Sequence, residues 1–220
     1  MAKPVGQIFL FLSLFLFSCI STEKCPEGSN LLPMFGGQTK CKEQLKEDKK
    51  FISECEAQFK DRKIAAKYHI DKGWEYFYRS DYETSMKRFN QAWLLDSLNA
   101  DVYWGFGDLL GAKHQFRESL LLFEKSTKLN PQNPKVYESI AISYGQLFFE
   151  TKDVVLLNKA IDNLKTAIQL NPESASALGQ LTNAYSYFSQ KDSARKYLAL
   201  TDKLDPKAVN PVVRKILRED

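Results

Sequence analysis

Two stretches of this chain align with each other, without a gap, at an offset of thirty-four residues: GWEYFYRSDYETSMKRFNQAWLLDS from Gly73 and GDLLGAKHQFRESLLLFEKSTKLNP from Gly107. The same offset separates Pro172, which closes KAIDNLKTAIQLNP, from Pro206, which closes DSARKYLALTDKLDP. A period of this length leaves few folds open, because each unit must be one supersecondary element that buries its apolar face against the next copy. Every unit holds two apolar-periodic segments of helical length, followed by Leu, then Asp or Asn, and usually Pro. Proline cannot continue a helix and so fixes a turn into the next unit. The expected fold class is all-α.

The slots within each unit are specific. Gly73, Tyr76, Tyr82, Phe89 and Ala92 recur as Gly107, Leu110, Phe116, Phe123 and Ser126, with Ser97 standing where the second unit has Pro131. Two further units place Ala141, Tyr144, Ala160, Leu164 and Ala167 before Pro172, then Thr182, Tyr185, Ala194, Leu198 and Thr201 before Pro206. The small residues belong where helix axes, packed about 8–10 Å apart, come closest. This pattern resembles the tetratricopeptide repeat. The resemblance implies a right-handed α-solenoid of about four helix-turn-helix units over 66–99, 100–133, 134–174 and 175–208, with capping helices at both ends. The glycines of WGFGDLLG then fall inside a first helix, with Gly107 as the close-packing slot and Gly105 its neighbour. A phosphate loop would need a strand before it.

The third unit carries seven extra residues around GQLFFETKDVVLLNK, about two helical turns. One added turn in each helix keeps the hairpin in register and puts its tip near Thr151 to Asp153, with Asp153 as N-cap. Leu147, Phe148, Phe149, Val154 and Val155 near that tip form either a docking point or the seam of the helix pair. Upstream, Thr39 is positioned to cap a helix running to about Lys63, so that 39–64 covers the first unit. Downstream, Asn210 and Pro211 open a short helix within 209–220 that covers the last.

The N-terminus is of another kind. IFLFLSLFLFS is an unbroken apolar run of about 16 Å as helix, half a bilayer core and the length of a signal peptide rather than a span. Leu16, Phe17, Ser18 and Cys19 resemble the bacterial lipobox. That resemblance implies a signal peptide over 1–18, lipid on Cys19, and Ile20 directing the product to the outer membrane; an ordinary secretory peptide cleaved nearby is the alternative. Residues 19–38 have turn formers and no period, and are read as a partly disordered tether. Cys25, Cys41 and Cys55 remain, an odd number. Cys41 and Cys55 lie about 21 Å apart if on one helix, so a disulfide must use Cys25, with Cys41 or Cys55 as partner. Alternatively Cys41 and Cys55 are small core residues on a stripe with Leu45, Ile52 and Phe59.

Chemistry is sparse. His69 and His114 have no Cys or Ser partner at motif spacing, and the carboxylates read as solvated. No metal is expected, because no CxxC or Cys/His cluster is present. The net charge of +4 is too evenly interleaved for a nucleic-acid track. No catalytic residue and no cofactor is expected. The repeat resemblance implies instead a concave face built by the first helices, carrying Ile70, Trp74, Phe77, Asp101, Trp104, Asp108, Glu138, Ile142, Gly179 and Asn183. Trp74, Phe77 and Trp104 form an aromatic patch of the kind that anchors interfaces, unless the N-terminal helix or the LLPMF segment covers it. The family's carboxylate clamp for acidic chaperone tails is missing, its slots being filled by Ile70, Trp74 and Trp104. The expected function is a membrane-anchored envelope scaffold that binds a protein or peptide in this groove, as in outer-membrane complex assembly. The competing expectation is a lipoprotein that takes glycans or peptides in nutrient uptake.

Overall fold

The computed structural model describes residues 25–188 and 190–219. The signal segment 1–18, Cys19 and the start of the tether lie outside the described residues. Among the described residues there are ten α-helices and no strand: α1 Lys42–Phe59, α2 Arg62–Tyr78, α3 Tyr82–Leu95, α4 Ala100–Ala112, α5 Phe116–Leu129, α6 Pro134–Thr151, α7 Val154–Leu170, α8 Ala175–Tyr187, α9 Lys191–Leu204 and α10 Pro211–Arg218. Helices α2/α3, α4/α5, α6/α7 and α8/α9 are antiparallel hairpins. Each first helix also touches the next, α2 to α4 to α6 to α8, which makes one continuous inner layer.

The repeat's punctuation explains the helix starts. Asp61, Asn99, Asn133 and Ser174 cap α2, α4, α6 and α8 by accepting backbone N–H groups of the first turn. Within the first three hairpins the turn passes through a left-handed residue, Ser80, His114 or Lys152, in each case not glycine. The third hairpin is lengthened as expected: α6 and α7 reach 18 and 17 residues against 13 and 14 in α4 and α5, and Asp153 caps α7.

Phe89 and Phe123 are the knobs that lock successive units. The Phe89 ring sits against both Gly73 of α2 and Gly105 of α4, while the Phe123 ring sits against Gly107. Gly105 is thus a packing seat in its own right rather than a neighbour of one. Residues two apart on a helix point about 200° away from each other. Gly105 therefore faces back to α3 and Gly107 forward to α5. Phe89, Phe106, Phe123 and Met86 are fully enclosed, and burial of each such side chain contributes about 1.5–3 kcal/mol.

The N-terminal flank differs from expectation in three ways. The helix expected from Thr39 to about Lys63 is α1, which ends at Phe59; Lys60 turns left-handed and Asp61 caps α2 through Lys63 N and Ile64 N. Cys41 is not inside a helix but precedes α1 in extended backbone, which frees it to bond Cys25. Cys55 is the free, buried thiol.

The third difference concerns residues 25–38, which are docked rather than a loose tether. They form short 3-10 turns at Ser29–Leu31 and Pro33–Gly37 that pack on α3. Phe35 is buried and meets Trp93 edge-on at 6.3 Å. The Asn90 amide donates to the carbonyls of Asn30 (3.1 Å) and Leu32 (2.9 Å) and accepts from Phe35 N. At the other end, α10 is capped by Asn210 and buries Val213 and Leu217 against α9, covering the last unit as expected.

Candidate functional site

The inner layer carries a groove made of two adjoining clefts that share Ile142 and Gln146. The first, of about 400 Å³, lies between α4, α5 and α6 and is lined by Phe77, Asp108, His114, Phe116, Phe123, Ser139 and Ser143 besides the shared pair. The second, of about 240 Å³, lies between α6, α7 and α8 and is mainly apolar, with Phe148, Phe149, Leu157, Leu164 and Tyr187 in its wall. Asn183 also lines it, and its side-chain oxygen is buried without a hydrogen-bond partner.

The aromatic patch is present at one end of this groove. Trp74 and Trp104 approach to 4.4 Å between ring centroids, and Trp74 meets Phe77 and Phe89 edge-on. The indole N–H of Trp104 donates to Ser139 Oγ at 3.1 Å, which pins α4 to α6. Trp74, Phe77 and Trp104 are half-buried, the first two resting on the core of the first two units and Trp104 on the cluster of Phe123, Val136 and Ile140. The docked 25–38 segment packs on α3, the second helix of its hairpin.

Asp108 corrects the expectation of solvated carboxylates. Desolvation within the cleft raises its carboxyl to about 7, although Ser139 and Trp104 oppose the rise by hydrogen bonding to it. A group so poised changes charge near neutrality.

Other predicted groove residues do structural work. Ile70 is buried in the core of the first two units, so it is no contact surface. Glu138 is also buried; it accepts from Ser174 Oγ at 2.9 Å and pairs with Lys135. Since Ser174 caps α8, this acid secures the third unit to the fourth. Asp101 plays the same part toward Asn133, the cap of α6, at 3.4 Å. Gly179 is a seat for the backbone of Ala208. Ile142 is half-exposed, on the rim shared by both clefts. Ser139, Gln146 and Tyr187 are absent from the sequence reading, which names Phe149 at the hairpin tip but not in the groove. Gln146 and Tyr187 lie four residues beyond Ile142 and Asn183, so extending the same helical stripe by one turn identifies both.

At the tip of the third hairpin the seam reading holds for part of the apolar set. Leu147 and Leu157 form the buried seam, whereas Phe149, Val154 and Val155 remain exposed, with Phe149 against Tyr187 at 5.1 Å.

His69 and Cys55 meet at 3.8 Å, Nε2 to Sγ, under Phe51 and Tyr68. Burial lowers the imidazole to about 4 and raises the thiol. A neutral ring beside a protonated thiol, both enclosed, presents no nucleophile. His114 stands exposed in its turn, beside Phe116. Among the described residues the His/Cys/Asp/Glu group close enough for a metal is Cys25, Cys41 and Glu43, whose two sulfurs are bonded to each other.

No protein-family model and no curated protein sequence matches the chain. Solved structures do. TTC0263 of Thermus thermophilus, a thermophilic tetratricopeptide-repeat protein, superposes with a TM-score of 0.59 at 18% identity, over 70% of this chain and 80% of that one. MamA gives 0.54 at 17% identity, over 64% of this chain and 79% of that one. A chain of the Cut9–Hcn1 hetero-tetramer of APC/C gives 0.59 at 12% identity, over 68% of this chain and 28% of that one. The thirty-four-residue period, the four stacked hairpins and these superpositions together give this chain the fold of a tetratricopeptide-repeat solenoid.

Proposed function

We propose that this protein is an envelope scaffold, anchored to a membrane by lipid on Cys19, that holds a segment of a partner protein in its inner groove. The observation that carries the reading is the groove itself: two connected clefts, apolar and aromatic in the main, with few polar groups fixed among them. Such lining is what recognition sites use, apolar area for affinity and a few placed polar atoms for orientation. The unpartnered Asn183 oxygen supports a peptide occupant, since an extended backbone supplies the N–H that this buried acceptor lacks. The competing reading, a glycan stacked on Trp74 and Trp104, leaves the Asn183 oxygen and the apolar Ile142–Tyr187 cleft without a part.

Two measurements test the reading. Cys19→Ala is expected to move the protein from the membrane to the soluble fraction; undiminished membrane retention would overturn the lipid anchor. Trp74→Ala with Trp104→Ala is expected to keep the helical circular dichroism while reducing crosslinking to an envelope partner about tenfold or more, the scale of a lost interface anchor. Unchanged crosslinking sinks the groove reading, and a collapsed helical signal would assign the patch to the core.

A further inference from the structure

Asp108 is a carboxyl group in a cleft of aromatic rings and neutral polar side chains, with no Lys or Arg among its lining residues. The side chains around its cleft are Phe77 from α2, Phe116 and Phe123 from α5, and Ser139, Ile142, Ser143 and Gln146 from α6. Among the lining residues the other titratable group is His114, exposed at the turn; no Lys or Arg lines the cleft. Ser139 and Trp104 stand beside Asp108 and favour its charged form, while the indole N–H of Trp104 donates to Ser139 Oγ at 3.1 Å. No Lys or Arg among the lining residues balances that charge.

Three kinds of guest are open to such a cleft. An apolar side chain completes the desolvation and leaves either a buried unpaired charge or a carboxyl forced neutral. An acidic one sets two like charges together. A basic side chain brings the missing charge, and its alkyl stem suits the Phe77 and Ile142 walls while its head meets the carboxylate. We propose that the Asp108 cleft takes a lysine or arginine side chain of the partner segment, with an apolar residue of that segment filling the adjoining Ile142–Tyr187 cleft. This rests on the groove being a peptide site. It deepens that reading by fixing the guest's chemistry, a basic residue next to an apolar one, the reverse of an acidic-tail clamp. The chain's own net charge of +4 provides no general attraction for cationic peptides, so a preference for them must come from a local site.

Guest binding is coupled to ionisation. With the free carboxyl at about 7, a cation that binds only the ionised form loses about 30-fold in affinity between pH 8 and pH 5.5. The sign for stability is opposite. A carboxyl raised above its unfolded value is more protonated in the folded chain, so folding weakens as pH rises from about 4 through 7. Asp108→Asn, which mimics the neutral form, therefore melts no lower than the parent at pH 8, and a binding defect in it is not a folding defect.

The test is selection of a random dodecapeptide phage library on the immobilised, folded parent, Asp108→Asn and Glu118→Gln chains, Glu118 being an exposed acid of α5 outside both clefts. The expected result is that the parent and Glu118→Gln enrich peptides with Lys or Arg beside an apolar residue. Asp108→Asn is expected to enrich apolar peptides without the basic residue. A peptide selected on the parent is expected to bind about 30-fold more weakly at pH 5.5 than at pH 8, and this dependence is expected to vanish in Asp108→Asn. Parent-selected peptides lacking basic residues, or basic enrichment that persists in Asp108→Asn, overturn the assignment while leaving the peptide groove standing. Failure of the parent to enrich any peptide overturns both.

Discussion

Gly105→Ala is expected to lower the melting temperature by about 6–12 °C, the effect of about 3 kcal/mol on a chain of this size. A methyl group at Gly105 falls inside the contact distance of the Phe89 ring. That ring cannot retreat, because Gly73 backs it at 2.8 Å from the site of its own missing Cβ. Overpacking a closed site of this kind displaces α4 from α3, and the interface between the first two units opens. Gly107→Ala meets the Phe123 ring in the same way and is expected to weaken the pairing of α4 with α5. Gly111 is the internal control. Nothing lies within 4 Å of its missing Cβ, and Gly111→Ala is expected to leave stability unchanged or to raise it by about 0.5–1 kcal/mol through helix propensity. Thermal circular dichroism on the three variants checks the order. Equal behaviour of all three would mean that the glycine seats do not fix the spacing of the units.

Asn90→Ala is expected to undock residues 25–38 and to cost about 3 kcal/mol. Asn90 is fully enclosed, and its amide serves three backbone groups of that segment. Each such bond contributes about 1 kcal/mol, and the groups left behind must find water across a buried surface. The Cys25–Cys41 disulfide keeps both ends of the segment on the molecule, so the expected change is local. Amide hydrogen exchange is expected to accelerate at residues 29–37 and little within α5–α9. Protection that persists across 29–37 would show that Phe35 and the disulfide hold the segment without Asn90.

Much of the architecture was written in local pattern. The thirty-four-residue offset pairs Phe89 with Phe123, and both become knobs in glycine seats. Asp153 and Asn210 were legible as caps, and the longer third hairpin followed from the residue count. These features depend on interactions within a hairpin or between one hairpin and the next, which recur with the period and so leave a periodic trace.

What the tertiary structure decided does not repeat. Asn90 corresponds in the second unit to Glu124, an exposed residue, so nothing in the repeat marks it as the anchor of a segment some sixty residues earlier. Cys25 could choose Cys41 over Cys55 only once the start of α1 was fixed. Ile70 and Glu138 occupy groove positions by register, yet the packing of neighbouring units encloses them. Asp108 reads as one more surface acid until α5 and α6 close around it. The sequence by itself determined the repeat and its internal packing, because those contacts are short in range and copied from unit to unit. The docking of the N-terminal segment, the disulfide partner and the state of the Asp108 carboxyl waited on the tertiary structure, because each depends on residues brought together from distant or unlike parts of the chain.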